Sequence, residues 1–137
     1  MKVEFDERSP IYLQIVNELK ARIAVGRIGC SDKLPSVRDM AREYGVNPNT
    51  IQRVYHRLER EGICFAARGT GTFVRDDKSL VTRLRREMAG QLVERFLQDM
   101  EKIGLEGEEI EQAVLTAMRR TSRIAGRPFV RPVRENV

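Results

Sequence analysis

Asn49, Gln52, Arg53, His56, Arg57 and Arg60 return at three- and four-residue steps, which gathers them on one side of a helix. The amides of Asn and Gln can form paired hydrogen bonds with an adenine edge, and a guanidinium can do the same with guanine or hold a phosphate oxygen. The chemistry on offer is recognition by hydrogen bonding, not bond breaking. The sequence has no G-x-S-x-G serine, no phosphate-binding P-loop and no metal-ligand cluster, and His56 is its single histidine. No enzyme activity, metal or cofactor is expected. A solvated basic face shows the same pattern, so these residues alone leave their partner open.

The elements that must position this face can be read outward from it. Asn47 is placed to cap the helix and Pro48 to fill its first position, where no backbone donor is needed. Ile51, Val54, Tyr55 and Leu58 form the opposite, apolar stripe. Upstream, Ser36 and Asp39 make an S-x-x-D capping box, Val37, Met40, Ala41 and Tyr44 share one face, and Gly45 is the stop. Two short helices joined through Gly45–Asn47 read as a helix-turn-helix, whose second helix would lie in a DNA major groove.

On the N-terminal side, residues 1–9 look extended and charged. Ser9-Pro10 is a helix start, and Tyr12, Ile15, Val16, Leu19 and Ile23 repeat at helical spacing as far as Val25, with Gly26 as the stop. Arg27–Lys33 reads as a loop, and Leu34-Pro35 forces an extended approach to the next helix. After Gly62, Ile63–Ala66 and Thr72–Val74 suit two strands joined by the turn Arg68-Gly69-Thr70-Gly71. A helix-turn-helix followed by such a hairpin is a winged helix. Its tip would bring Arg68, beside two glycines, close to a phosphate or a narrow minor groove.

Two further helices are expected, Leu80–Ile103 and Glu106–Arg120. Leu84, Met88, Leu92 and Phe96 step by four along the first, and Ile110 and Val114 mark the second. A pair of helices of this size cannot bury both stripes alone, so the same pair from a second chain is the expected partner, giving a homodimer suited to a palindromic DNA site. Any small-molecule effector would have to sit between the chains, because one such hairpin cannot enclose a pocket of about 300 Å³ or more.

Charge supports a local rather than a global reading. The 137 residues carry a net charge of +5, and residues 119–137 account for it with six arginines and one glutamate. The rest of the chain is balanced, so nucleic-acid affinity in the body must come from placement. Thr121–Val137 shows no period and is expected to be a basic, mobile tail. Cys30 and Cys64 stand alone and read as small apolar fillers. No apolar run reaches the roughly 20 residues of a membrane span, so no membrane partner and a cytoplasmic location are expected.

The runs PIYLQIVNELKARIAVGRI, DKLPSVRDMAREYGVNPNTIQRVYHRLEREG and RGTGTFV resemble the winged-helix domain of GntR-type bacterial transcription regulators. The short C-terminal part resembles the YtrA-like subfamily. The resemblance implies that Arg38 contacts the DNA backbone, and that Asn47, Asn49 and Thr50 meet phosphates and base edges at the start of the recognition helix. It further implies that Gln52 and Arg53 read bases and that Gly69 approaches the minor groove. Ser36, Arg57, Arg68 and Thr70 complete the expected DNA-binding set. Relatives usually carry proline-glycine where this chain has Cys30-Ser31, so the resemblance does not dictate that turn.

The chain is thus expected to be mainly α with a small β-hairpin. Residues 1–76 are expected to form a winged helix-turn-helix, residues 77–121 a helical dimerisation hairpin and effector region, and residues 122–137 the tail. The function implied is a sequence-specific regulator, in all expectation a repressor, acting as a homodimer on an inverted repeat of double-stranded DNA. The competing reading is an architectural or protein-interaction module that holds nucleic acid nonspecifically through its tail.

Overall fold

The computed structural model describes residues 5–124. Seven elements follow one another: α1 (Ile11–Ala24), α2 (Val37–Tyr44), α3 (Pro48–Arg60), β1 (Cys64–Ala67), β2 (Gly71–Val74), α4 (Lys78–Lys102) and α5 (Gly107–Ile124). They divide into two compact units at Ala89/Gly90, with α4 contributing to both.

The first unit is built on α1, α2 and α3. Ile15, Val16, Leu19 and Ile23 of α1 meet Met40, Ala41 and Tyr44 of α2 and Ile51, Val54, Tyr55 and Leu58 of α3 in one buried cluster. These are the stripes expected from the spacing, except that Val37 and Tyr12 stay half-buried at the edge. The local signals act as the residue types require. Ser36 Oγ accepts from the Asp39 amide at 3.1 Å, Gly45 ends α2 at φ 67°, and Asn47 Oδ1 accepts from the Asn49 amide at 2.8 Å.

The start of α1 differs from the expectation. Pro10, not Ser9, is the capping residue, and it has no side-chain cap bond. Gln14 supplies the link instead, reaching back from the first turns. Its Oε1 accepts from the Asp6 amide at 2.7 Å and its Nε2 donates to the Ser9 carbonyl at 2.8 Å.

The wing is larger than a hairpin. β1 and β2 pair antiparallel, with Cys64 opposite Val74 and Ala67 opposite Gly71. On the other side of β2 lies the segment expected as loop. Ser31 N donates to Val74 O, Val74 N to Asp32 O, and Leu34 N to Thr72 O, all at 2.8–2.9 Å, around a bridge between Lys33 and Phe73. β2 is therefore central, and the strand-like segment beside it runs straight on into α2. The wing and the helix-turn-helix share a covalent hinge of almost no length.

This arrangement has a local cost at the Cys30-Ser31 turn. Ser31 adopts φ 69°, the left-handed conformation that glycine adopts without penalty and other residues rarely enter. The hydrogen bond that its amide donates to the Val74 carbonyl holds it there. The sequence departure noted above falls where, among the described residues, a residue other than glycine takes a positive φ. Cys64 is buried, which pushes its thiol up to about 12, while Cys30 is half-buried and its Sγ lies 3.8 Å from the Asp77 carbonyl. Both fit the role of apolar fillers.

The first half of α4 belongs to this unit. Leu80 and Leu84 are buried in its core at 0% and 2% exposure, and Arg85 Nε donates to the Ala24 carbonyl at 2.8 Å, satisfying the last turn of α1. Leu80 and Leu84, which follow the expected boundary at residue 76, thus pack with the winged-helix core, Leu84 having been expected in a dimer seam.

Glu61, just past α3, ties the helices electrostatically. It takes Lys20 Nζ of α1 at 2.6 Å and Arg57 Nε at 2.9 Å. Partial burial alone would raise its carboxyl pKa, but the hydrogen bonds from Lys20 and Arg57 outweigh that and hold it below the ordinary value. A depressed pKa contributes stability above the unfolded-state value, and that contribution fades as pH falls through the folded-state value. Between about pH 5 and pH 3, Glu61→Gln is expected to lose less melting temperature than the wild type. An equal loss in thermal scans of the two proteins would remove Glu61 from the acid response.

In the second unit, α5 follows the end of α4 after Gly104. Ile110 is buried at 7% exposure, and Met100, Leu105, Val114 and Leu115 are half-buried. Ile110, expected at an intermolecular seam, is thus already covered within its own chain. Around these residues Leu92, Val93, Phe96, Leu97, Ile103 and Met118 remain exposed. α5 runs to Ile124, into the segment expected as tail, and the rest of the tail expectation lies outside the described residues.

Candidate nucleic-acid interface

The polar side of α3 stands as the sequence spacing requires. Asn49, Gln52, Arg53, His56 and Arg60 are exposed, while Ile51, Val54, Tyr55 and Leu58 on the other side fill the core. The helix is held rigidly from beneath, and Tyr55 adds a polar lock, its hydroxyl donating to the Pro35 carbonyl at 2.6 Å across to the start of α2. Burial raises the Tyr55 pKa, so the hydroxyl keeps its proton and the lock persists at any ordinary pH.

The arginines of α3 are not equivalent. Arg57 is half-buried and committed to Glu61 at 2.9 Å. Arg53 makes no ion pair among the described residues; its guanidinium instead lies over the ring of Tyr12, 4.0 Å from the centroid. Of the expected DNA-binding set, Arg53 has its charge available to an external partner, and Arg57 would have to give up an internal one.

The start of α2 and the wing meet in one cleft of about 610 Å³, lined by Lys33, Pro35, Ser36 and Asp39 on one side and Thr70, Gly71 and Thr72 on the other. Ser36 and Thr70 are thus brought together, with Arg38 exposed on the first turn of α2. Ser36 Oγ already accepts a helix amide, which leaves its hydroxyl proton to donate. Arg68, Gly69 and Thr70 are exposed in the turn of the wing. Thr50 and Arg53 line a separate, smaller cleft of about 230 Å³ with Pro10, Ile11 and Tyr12 of α1. Asn47 is exposed, its Oδ1 committed to the cap and its amide donors left over.

Two residues join the site that the sequence did not single out. Lys33 was expected in a loop. Its side chain lies across Gly71, where a Cβ would come within 2.7 Å of Lys33 Cε, and Gly71 sits at φ 132°. The backbone conformation favours glycine at 71, while the exposed lysine stem could swing aside for a larger residue. Tyr12 was read as part of the α1 core stripe, and its aromatic ring among aliphatic neighbours was the one available signal that it serves another purpose.

An exposed polar helix on a compact helical core, with a second helix and a wing flanking it, defines a winged helix-turn-helix DNA-binding module. The family model described as bacterial regulatory proteins, gntR family, matches residues 11–74. The HTH-type transcriptional regulator YhcF of Bacillus subtilis (strain 168) is 40% identical over 116 residues, which cover 85% of this chain and 96% of that protein. The HTH-type transcriptional repressor YtrA of the same organism is 34% identical over 113 residues, covering 80% of this chain and 87% of the repressor. Among solved structures, a GntR family transcriptional regulator from Listeria monocytogenes aligns with a TM-score of 0.74 at 41% identity, covering 82% of this chain and 98% of that one. The chain belongs to the GntR family of bacterial regulatory proteins. It is a DNA-binding transcription regulator, in a family of regulators and not of enzymes. No helix among the described residues is long and apolar enough to cross a membrane.

Proposed function

We propose that the protein is a homodimeric repressor that binds an inverted-repeat operator and blocks transcription by occupying it. The observation that carries this reading is the exposed row Asn49, Gln52, Arg53 and His56 on a helix whose other face is locked in the core. Such a row can be laid in a major groove without rearranging the fold. The exposed apolar residues of the second unit supply a surface for pairing two chains. Similarity to a repressor of comparable length supports the sign of regulation. A ligand held between paired helical hairpins would alter the spacing of the two α3 helices and so release the DNA. Acting on chromosomal DNA, the protein works in the cytoplasm.

The test is selection of bound fragments from the source genome at about 150 mM salt, where nonspecific attraction is reduced. One inverted repeat near promoters is expected. Gln52→Ala is expected to cost about 1–3 kcal/mol on that site and little on random duplex. Equal losses on both would show that Gln52 does not read a base. Recovery of no common sequence would favour a nonspecific binder.

A further inference from the structure

We propose that Tyr12 of α1 is a positioning residue for DNA recognition, holding the Arg53 guanidinium in place so that its donors are presented to a guanine. This rests on the α3 face being the DNA-reading surface. A free arginine on a helix surface samples many rotamers, and freezing them opposes binding by an amount comparable to the gain from a good contact. In this protein the freezing has a physical agent. The guanidinium lies 4.0 Å from the Tyr12 ring centroid, within the range of a cation–π contact.

The geometry of that contact suits recognition. A cation–π contact needs only the charge near the ring and consumes no hydrogen-bond donor, and the five N–H donors of a guanidinium point outward in its plane. An ion pair would have used those donors, as Glu61 uses the Nε of Arg57. The ring of Tyr12 leaves them unspent, and a planar pair of donors matches guanine O6 and N7 better than any other base edge.

The ring itself is placed by the fold. Tyr12 sits in the first turn of α1, and Ile15, Val16 and Leu19 anchor that helix beneath α3. Pro10, Ile11 and Tyr12 of α1 and Thr50 and Arg53 of α3 line one cleft of about 230 Å³, so ring and guanidinium share an open recess between the two helices. Arg53 is exposed, so DNA can reach it without displacing the ring.

The role predicts coupling that a structural tyrosine would not show. The probe is the duplex site recovered by the wild-type protein from a random-sequence library, alongside the same duplex with each G·C pair changed in turn. Tyr12→Leu is expected to weaken binding by about two- to fivefold, the scale of an exposed cation–π contact. The loss should vanish when the same change is made in an Arg53→Ala background, and also when the G·C pair that Arg53 reads is replaced. Tyr12→Phe keeps the ring and should restore wild-type discrimination. Equal losses from Tyr12→Leu with and without Arg53 would make Tyr12 merely structural and overturn the proposal. A loss spread evenly over all sequences would place Arg53 on a phosphate and overturn it as well. Recovery of no site by the wild type would overturn the base-reading surface itself, and this role with it.

Discussion

Leu84→Ala is expected to lower the unfolding free energy of the N-terminal unit by about 2–5 kcal/mol while leaving self-association intact. The side chain is 2% exposed and belongs to the same cluster as the α1 stripe and Leu80. Truncation there removes methyl groups from a close-packed core and leaves a cavity that its neighbours fill only in part. Urea unfolding followed at several protein concentrations measures the loss, because a concentration series separates a core defect from a weakened interface. Sedimentation of the still-folded variant should give the wild-type mass. An unchanged unfolding midpoint combined with dissociation would put Leu84 in the intermolecular seam after all.

That outcome bears on what could be read from the residues alone. The caps at Ser36, Gly45 and Asn47 and the stripes of α2 and α3 were legible because each depends on a short spacing whose partners lie within one or two turns. The candidate face was legible for the same reason, as the complement of a core stripe. Leu84, Met88, Leu92 and Phe96 form an equally regular row, but periodicity says only that a face is apolar and not which surface covers it. The structure cuts that row, taking Leu84 into the winged helix and leaving Leu92 and Phe96 exposed.

The contacts that escaped are those made between distant segments through groups that carry no pattern. Residues 31–34 join β2 through backbone amides and carbonyls, which every residue has, and they do so with a serine at φ 69°. Nothing in their side chains advertised a strand. The hairpin strands lie one residue away from their expected bounds at Ala67 and Gly71, because the turn closes over three residues. Tyr12 and Arg53 meet only because α1 crosses α3, and Lys33 meets Gly71 only because the loop becomes part of the sheet. Helix crossing and sheet extension are properties of the fold, so the residues they bring together could be named only after it.

Replacing Leu92 and Phe96 together with glutamate is expected to give monomers and to weaken binding to a full inverted repeat by about 10²- to 10⁴-fold. Leu92 is 68% exposed and Phe96 39%, with Val93 and Leu97 exposed beside them. Ile110 is the single well-buried residue among the described residues of this unit, and so much exposed apolar surface around it is costly in water and is expected to be relieved by a matching copy of itself. Two buried glutamates facing their symmetry mates would carry a like-charge and desolvation cost that an exposed pair would not. Each winged helix keeps its own core, since neither residue belongs to it, so half-site affinity should survive. The large loss on the full site follows because the second half-site is no longer engaged at the high effective concentration set by the first. Sedimentation and titration on full and half sites give the two readouts separately. Monomers with undiminished full-site affinity would mean that the DNA, not the helical hairpin, assembles the pair, whereas persistent dimers would locate the seam on another surface.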